Sequence, residues 1–401
     1  MNAKLQAATC LGKISGAREP KGLLSPLGLR GLELPNRIVI APMSQMAGDR
    51  NGRAGDWHLV HLGQMALGRP AMIFTEVCAV DPDGRNTYAD LGLWNDGQIE
   101  GLRRIANFIS AEGVIPAIQI GHSGRKASSR RPWDGMMRAL DEEDAERGEP
   151  PWQTVAPSAI GFEPSRRAPR ELTGAEVRKL VERFSDATRR AASAGFRAIE
   201  LHGAHGYLLH QFLSATANQR SDEYGGRLTN RMRFPLEVVE AVRAAWPSEH
   251  PLFFRLSVGD GSDPGWTIDD TTAFVHALAA RGVDIVDCSS GGIAGSNADI
   301  RGRSVPGFQV GLAEQLRSRT NIGLMAVGLI RSPQQADEII SRNIADLVAI
   351  GREVLYNPRW PLHAAEMLNV QPAFQCWPIR YGWWLQYRAH SLKRPSDQDS
   401  P

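Results

Sequence analysis

Residues 198 to 207 read Ala198-Ile199-Glu200-Leu201-His202-Gly203-Ala204-His205-Gly206-Tyr207. The first four residues form a strand-like run, and the glycines that follow allow the backbone to turn tightly where that strand ends. Two histidines and a tyrosine therefore leave the carboxyl end of a strand. Their side chains supply three hydrogen-bonding groups that can converge on one small polar atom, so this stretch is the leading candidate for an active site.

The same succession of a short apolar run and a longer amphipathic segment repeats along the chain, as expected for βα units around a parallel sheet. Eight strands alternating with helices favour a closed (β/α)8 barrel, the TIM barrel of the α/β class, over an open doubly wound sheet. The open sheet is also disfavoured because no G-x-G-x-x-G motif follows the first run. Each run is nearly continuous in apolar character, as strands buried on both faces should be. The runs cover residues 37–43, 71–80, 114–120, 198–201, 251–258, 283–290, 323–329 and 346–351.

Start signals of helices lie between these runs. Thr173 and Glu176 have the spacing of a capping box, in which each side chain bonds the backbone of the other. Thr267 precedes two aspartates, which the helix dipole favours in a first turn. Ser332 precedes a proline and stands three residues before a glutamine, a further start signal. These positions predict three helices that follow strands of the barrel.

The segments outside the repeat divide the chain. Residues 1–20 are expected to form a flexible tail, 21–370 the barrel domain, and 371–401 a carboxyl-terminal arm that is disordered after Ser391. Residues 27–34 alternate around glycines and predict a hairpin that plugs the amino-terminal mouth of the barrel. About fifty residues separate the third run from Thr173, a length typical of a lid or binding excursion. The acidic run 141–144 inside that connection is interpreted as a solvated helix face.

The composition favours a small-molecule partner. With 46 basic and 44 acidic residues the net charge is +2, which provides no field that would select nucleic acid or an anionic membrane. No apolar run has the length of a membrane span and residues 1–20 lack a signal-peptide core, so we expect a cytoplasmic protein. The four cysteines lie far apart, which argues against zinc and iron–sulfur sites, and Cys78 and Cys288 are interpreted as core residues. His58 and His61 share a helical face without a third ligand, so no metal site is predicted.

The carboxyl ends of the last two strands indicate a phosphate pocket. Gly328 lies near the carboxyl end of the seventh run, Gly351 ends the eighth, and Arg352 follows it. Glycine amides, an arginine and a following helix form a phosphate site at this position of many barrels. A phosphorylated ligand is therefore expected at the same face as the two histidines.

Several motifs together carry a resemblance to a known family. Residues 24–368 are similar to the flavin-dependent Old Yellow Enzyme family, in its bacterial branch of xenobiotic reductases, also called thermophilic-like ene-reductases. The matching motifs are Asn36-Arg37-Ile38-Val39, Ala41-Pro42-Met43, Trp57-His58-Leu59-Val60-His61, Gln119 with His122-Ser-Gly-Arg-Lys126, residues 202–207, Asp222-Glu-Tyr-Gly-Gly226 and Gly351-Arg352-Glu353.

The resemblance implies that FMN binds on the carboxyl face of the barrel, with NADPH or NADH as reductant. Gln119 would bond the pyrimidine edge of the flavin, and Arg255 would lie beside its N1 and O2 region, where negative charge accumulates on reduction. Gly328, Gly351 and Arg352 would hold the phosphate. The remaining contacts implied for the cofactor are Ala41, Pro42, Met43, Ser44 and Val77.

The resemblance also implies the reaction, which is the reduction of an alkene conjugated to a carbonyl or nitro group. His202 and His205 would bind the substrate oxygen as charge develops on it, and Tyr207 would donate a proton to the α-carbon. Two alternatives stay open: a desaturase, isomerase or nitro-reductase acting on a bulkier substrate, and a flavin-binding scaffold without catalysis. Retention of all three side chains argues against the scaffold.

The chain departs from the pattern of the branch at two positions. Ser44 stands where the branch typically has a cysteine near the flavin, and Met46 where it has a tyrosine that reaches the substrate. These changes predict an altered flavin potential and a wider apolar wall, with weaker activity on small cyclic enones and better tolerance of bulky ones.

The carboxyl-terminal arm is aromatic and basic over residues 378–388. In the resembling branch such a segment crosses a dimer interface and contributes a side chain to the neighbouring active site. Trp384, as a substrate contact, and Arg388 are the candidates, and a homodimer or homotetramer is the expected assembly. The alternative is that Trp383 and Trp384 pack on their own barrel.

Competing interpretations exist for four site residues. The histidine pair could satisfy buried backbone carbonyls. Arg255 could neutralise a barrel-interior acid such as Glu200, since a buried arginine needs a partner. Arg352 could cap a helix.

Overall fold

The computed structural model describes residues 21–164, 166–260, 265–293, 305–369 and 374–392. The expectations of a flexible tail over residues 1–20 and of disorder at the end of the chain lie outside the described residues. The strands, in chain order, are β1 (Leu27–Leu29), β2 (Leu32–Leu34), β3 (Ile38–Ile40), β4 (Met72–Ala79), β5 (Ile115–Gly121), β6 (Val155–Ala156), β7 (Arg170–Glu171), β8 (Ala198–Gly203), β9 (Leu252–Ser257), β10 (Ile285–Ser289), β11 (Gly323–Ala326) and β12 (Leu347–Ile350).

Helices follow most of the barrel strands and cover them from outside. They are α1 (Asp56–Ala66), α2 (Ile99–Ala111), α3 (Glu142–Glu146), α4 (Gly174–Ser193), α5 (Leu208–Leu213), α6 (Leu228–Arg231), α7 (Arg233–Ala245), α8 (Ile268–Ala279), α9 (Val310–Arg317), α10 (Pro333–Ser341), α11 (Arg352–Tyr356), α12 (Trp360–Met367) and α13 (Ile379–Ser391). Among the described residues, none of these helices combines the length and the apolar character needed to cross a bilayer.

The predicted (β/α)8 barrel is confirmed. Strands β10, β11, β12, β3, β4, β5, β8 and β9 form a closed parallel barrel in that order, and β9 pairs with β10 to complete the ring. Each of the eight apolar runs overlaps one of these strands, and β5 and β8 extend one and two residues beyond their runs. The runs read as continuous because one face of every strand packs against helices and the other fills the barrel.

The hairpin formed by β1 and β2 closes one mouth of the barrel. Leu32 and Leu34 belong to the same buried cluster as the interior residues Phe74 and Phe253, whose rings meet edge to face at 5.4 Å. Arg30 fixes the hairpin from outside, because its Nε lies 2.7 Å from the carboxylate of Asp284. The interior is thus a packed core, and open space is found at the carboxyl end.

The three predicted helix starts are confirmed by their hydrogen bonds. Thr173 Oγ1 accepts from the backbone N–H of Glu176, whose carboxylate accepts from the backbone N–H of Thr173 at 2.8 Å. Thr267 Oγ1 accepts from the N–H of Asp270 at 3.1 Å, and Ser332 Oγ accepts from the N–H of Gln335 at 3.1 Å. The caps fix where α4, α8 and α10 begin.

The long connection after β5 is held together by arginines. The interpretation of residues 141–144 as a solvated face is wrong for Asp144, whose carboxylate is buried 2.8 Å from Nε of Arg130. Asp141 also contacts Arg130, at 3.0 Å, and caps α3. A buried arginine with two carboxylates anchors this excursion, which crosses the carboxyl face near the candidate site.

Candidate active site

A cavity of about 490 Å³ opens at the carboxyl ends of the barrel strands, within the size range of small-molecule sites. It is bordered by the segments that follow β3, β11 and β12 and by side chains of β9 and β10. Sequence reasoning placed a ligand at this face, and the structure brings many of the predicted residues together here. Those that line the cavity are Ala41, Pro42, Met43, His205, Arg255, Gly328, Gly351 and Arg352.

The residues predicted to hold a phosphate, Gly328, Gly351 and Arg352, border the side of the cavity formed after β11 and β12. Gly328 has a φ of +122°, and a Cβ atom built on it would lie 2.9 Å from Gln309, so a side chain there would be strained and crowded. Arg352 is exposed at the first residue of α11. An arginine at that end is not placed to cap the carbonyl groups at the other end of the same helix.

Arg255 reaches the cavity from a buried layer of charged side chains. Its Nε lies 3.2 Å from Oδ2 of Asp287 on the neighbouring strand, and both residues are buried. The ion-pair partner is thus Asp287, whereas the competing interpretation named Glu200. Glu200 lies in the same layer, where its Oε1 accepts a hydrogen bond from Gln119 at 2.7 Å.

The two acids of this layer resist ionisation. Burial, reinforced by the charge of Asp287, raises the pKa of Glu200 to about 8. Burial also raises the pKa of Asp287, although the Arg255 guanidinium opposes that rise. Burial therefore favours the protonated form of both acids, and Asp287 is the acid that contacts the Arg255 guanidinium.

His202 and His205 form a hydrogen-bonded relay. The Ala204 N–H donates to His202 Nδ1 at 3.3 Å, so the proton of the neutral ring is assigned to Nε2. That Nε2 lies 3.4 Å from His205 Nδ1, and His205 Nε2 lies 2.6 Å from Ser289 Oγ. The two rings thus contact each other, a backbone amide and a hydroxyl. The competing interpretation had assigned their hydrogen bonds to buried backbone carbonyl groups.

Both histidines are neutral at physiological pH. Burial, and then the charge of Arg255, lowers the pKa of each imidazole well below its ordinary value. His205 adopts a left-handed backbone with φ of +58° and is followed by Gly206 with φ of +72°. This turn directs His205 to the cavity, and a Cβ atom on Gly206 would come within 2.0 Å of the carbonyl oxygen of Gly292.

Tyr207 lies against the pair. Its ring packs edge to face on His202, with 4.7 Å between centroids, and its Oη accepts a hydrogen bond from Asn86 Nδ2 at 3.1 Å. Burial raises the pKa of the phenol to about 12, and the charge of Asp90 adds to that rise. The phenol is therefore protonated at every physiological pH.

The loop that carries Ser44 and Met46 is tied to β4. Glu76 Oε2 accepts from the backbone N–H groups of Gln45 at 2.9 Å and Met46 at 3.3 Å. Glu76 Oε1 lies 3.1 Å from His58 Nε2, so His58 supports this carboxylate. A register shift between residues 74 and 77 of β4 turns the glutamate toward the loop.

Some predicted site residues lie apart from the cavity. Ser44 is exposed, Met46 is 7% exposed, and neither lines it. Val77 pairs with Gln119 between β4 and β5, and neither these two residues nor His202 and Tyr207 line the cavity. Trp384 is on α13 with 64% of its surface exposed, and Trp383 is 57% exposed, so the two indoles contact each other and do not pack on their own barrel.

Sequence reasoning missed four residues of this region. Asp287 and Ser289 interrupt the sixth apolar run with polar side chains, and that interruption was a usable signal. Glu76 lies within the second apolar run, and its loop contact depends on the register shift. Asn86 lies in a turn 121 positions from Tyr207, and nothing in its local sequence indicates that contact.

Comparison with known proteins gives consistent matches. A model of the NADH:flavin oxidoreductase / NADH oxidase family matches residues 22–371. The NADPH dehydrogenase of Geobacillus thermodenitrificans (strain NG80-2) is 40% identical over 364 residues, which cover 90% of this chain and 98% of that protein. The NADPH dehydrogenase of Geobacillus sp. (strain WCH70) is 40% identical over 348 residues, covering 86% of this chain and 94% of the relative.

Solved structures of similar fold include reductases. Morphinone reductase superimposes with a TM-score of 0.72 at 28% identity, covering 88% of this chain and 91% of that chain. The old yellow enzyme homologue from Zymomonas mobilis has a TM-score of 0.71 at 22% identity, covering 89% of this chain and 96% of its own, and supports the fold alone.

Proposed function

The chain belongs to the NADH:flavin oxidoreductase / NADH oxidase family and is an FMN-dependent NAD(P)H oxidoreductase of the Old Yellow Enzyme type, and from that premise we propose that it reduces alkenes conjugated to a carbonyl or nitro group. The observation that carries the proposal is His205, which lines the cavity and contacts the neutral His202, against which the protonated Tyr207 packs. A cytoplasmic setting is part of the proposal, since Cys78 and Cys288 are buried free thiols.

The residues present fit FMN. Gly328, Gly351 and Arg352 border one end of the cavity and would hold the phosphate, because glycine leaves backbone amides accessible and Arg352 supplies positive charge. Arg255 borders the cavity as well and would face the part of the flavin ring that gains negative charge. When bound, FMN accepts hydride from the nicotinamide and supplies hydride to the alkene.

The histidine pair would bind the substrate oxygen. A neutral imidazole with its proton on Nε2 donates a hydrogen bond, and His205 Nε2 lies at the cavity, where it contacts Ser289. A substrate oxygen would replace Ser289 Oγ as the acceptor. Donors fixed in a buried site stabilise a developing oxyanion more than water does, because they need no reorganisation during the reaction.

Tyr207 would donate the proton to the α-carbon. The phenol is neutral, buried and in contact with His202, so it lies next to the oxygen-binding pair. A proton donor must stay protonated until the carbon becomes basic, and a phenol pKa of about 12 meets that condition.

The function is tested by separating the two half-reactions. The FMN-loaded protein is reduced with NADPH in the absence of oxygen and then mixed with 2-cyclohexenone or a nitroalkene. Fast flavin reoxidation is expected. Fast reduction followed by slow reoxidation with both acceptors would favour the second candidate, a desaturase, isomerase or nitro-reductase of a bulkier substrate. The observation that favours this candidate is Met46 in place of a phenolic donor. Failure of the purified protein to take up FMN would contradict both.

Ser44 and Met46 should tune substrate choice. We expect Ser44→Cys with Met46→Tyr to raise kcat/KM for 2-cyclohexenone by roughly tenfold, since one further donor to the substrate oxygen becomes available. Activity on a bulky enone should fall because the added tyrosine phenol would take up space beside the substrate. Steady-state kinetics on the two substrates measures the ratio, and Ser44→Ala alone is the control. An unchanged ratio in the double variant would count against a role for these positions.

The carboxyl-terminal arm is proposed to join two copies of the chain. Its helix α13 leaves Trp383, Trp384 and Tyr387 largely exposed along one aromatic surface, which is typical of residues that bury on association. We expect Trp383→Ser with Trp384→Ser to shift a dimer or tetramer toward monomer in light scattering. Trp133→Ser, which removes another exposed indole, should leave the assembly unchanged. A wild-type monomer would contradict the proposal.

A further inference from the structure

We propose that Asn86 is a positioning residue that orients the Tyr207 hydroxyl for proton donation. The inference rests on the proposed function, because it assigns Tyr207 the role of acid. Asn86 does not line the cavity and is 1% exposed, so it would act through the phenol and not on the substrate.

Hydrogen bonds hold the backbone of Asn86 through both its N–H group and its carbonyl group. Its backbone N–H donates to Asp90 Oδ2 at 2.7 Å, and its carbonyl oxygen accepts from the N–H of Ser129 at 2.7 Å. Thr87 also donates through its hydroxyl to Asp90 Oδ1 at 2.7 Å. Since the backbone is held on two sides and the side chain is buried, the amide keeps a set position relative to the phenol.

The contact has a direction that matters for chemistry. Asn86 Nδ2 donates to Tyr207 Oη at 3.1 Å, so the phenol oxygen is the acceptor in this bond. The hydrogen of the phenol itself must then point elsewhere. The ring is held against His202 at 4.7 Å, which keeps the hydroxyl next to the oxygen-binding pair. Asn86 thereby leaves the phenol proton available to the substrate.

The same bond helps the phenol to release its proton. A donor facing Oη stabilises the phenolate that forms, and the Asn86 hydrogen bond accordingly lowers the pKa of Tyr207, against the larger rise caused by burial. The charged groups that face the phenol are Asp90, which raises that pKa, and Arg166 and Arg255, which lower it. Lys126 Nζ lies 5.9 Å from the ring centroid. Asn86 is thus a neutral donor that contacts the oxygen directly.

Two variants separate the donor from the space it fills. Asn86→Asp keeps the shape but presents an acceptor, so the phenol hydrogen would turn toward the carboxylate. Asn86→Leu removes the polar group and keeps apolar bulk. In both, flavin reduction by NADPH should stay at the wild-type rate, while reoxidation by 2-cyclohexenone should slow by roughly tenfold, the effect of one hydrogen bond to a developing charge.

The solvent deuterium isotope effect on reoxidation is the readout that a purely structural role would not move. It should rise in both variants, because proton donation becomes more limiting. A wild-type reoxidation rate and isotope effect in Asn86→Asp would overturn the inference, provided that Tyr207→Phe slows reoxidation. If Tyr207→Phe leaves reoxidation unchanged, the proposed acid itself is wrong, and the inference about Asn86 is overturned with it.

A phenol ligand supplies the control for the rest of the site. Its long-wavelength charge-transfer band with the flavin reports binding at His202 and His205, and we expect the same band and affinity in Asn86→Asp as in the wild type. Slower reoxidation together with an altered band would show that the substitution disturbed the histidine pair. That result would also overturn the inference that Asn86 acts only through the Tyr207 hydroxyl.

Discussion

Arg255→Leu is expected to lower the free energy of unfolding by about 3–5 kcal/mol, the usual cost of leaving a buried charge without its partner. The partner is Asp287, whose carboxylate lies 3.2 Å from the guanidinium and whose side chain is fully buried. The variant should also lose FMN, because the cation that borders the cavity is removed. Chemical denaturation of the FMN-free proteins measures the first effect, because bound FMN would itself stabilise the wild type, and the flavin-to-protein ratio of the loaded proteins after desalting measures the second.

Two companion variants separate stability from cofactor binding. Arg255→Leu combined with Asp287→Asn removes both charges, so most of the lost stability should return while FMN binding stays weak. Arg255→Lys keeps the charge but not the planar guanidinium group. Its flavin-to-protein ratio should therefore lie between those of Arg255→Leu and the wild type. If Arg255→Leu has the same free energy of unfolding as the wild type and keeps its flavin, the ion pair does not stabilise the fold and Arg255 is not needed to bind FMN.

The barrel could be predicted from sequence because its determinants are local and repeated. Each parallel strand is buried on both faces, so each leaves a short apolar run, and eight runs with capped helices between them leave few other arrangements. The caps at Thr173, Thr267 and Ser332 depend on residues three positions apart, a distance that sequence reasoning handles well. The carboxyl ends of the strands then indicated where the site would lie.

The contacts inside the site join residues that are far apart in the sequence, so no local pattern indicates them. Arg255 was predicted to face the cavity, but its partner proved to be Asp287 because β9 and β10 are neighbours in register. Glu76 reaches Gln45 and Met46 through a register shift in β4. A strand pattern of period two cannot reveal an inserted residue or the side chain that it redirects.

The relation between the two histidines was also only partly predictable. Their spacing indicated convergence on one oxygen, whereas the structure shows His202 Nε2 facing His205 Nδ1, with Ser289 accepting the outer proton. The left-handed backbone at His205 produces this arrangement. A substrate oxygen that binds His205, as we propose, would have to displace Ser289, a step that spacing alone could not suggest.

The pH dependence of reoxidation follows from the same groups. An acid whose pKa is raised stays protonated until the pH passes that pKa, so Tyr207 at about 12 should remain a donor throughout the accessible range. The histidines, with pKa values lowered well below the ordinary one, should remain neutral above about pH 6.5. A step in rate near pH 8 that disappears in Glu200→Gln would report the buried Glu200.

Tyr207→Phe should slow flavin reoxidation by 2-cyclohexenone by about 100-fold to 10,000-fold, the range for loss of a positioned proton donor. Flavin reduction by NADPH should be unaffected, because no proton passes from the phenol in that half-reaction. Rapid-mixing absorbance measures both rates on one sample. The phenol group is buried in contact with His202 and bonded by Asn86, so the variant also leaves a small void and an unpaired amide. Unchanged affinity for a phenol ligand would show that the histidine pair survives this change. Reoxidation at the wild-type rate would assign the proton to solvent and remove Tyr207 from the mechanism.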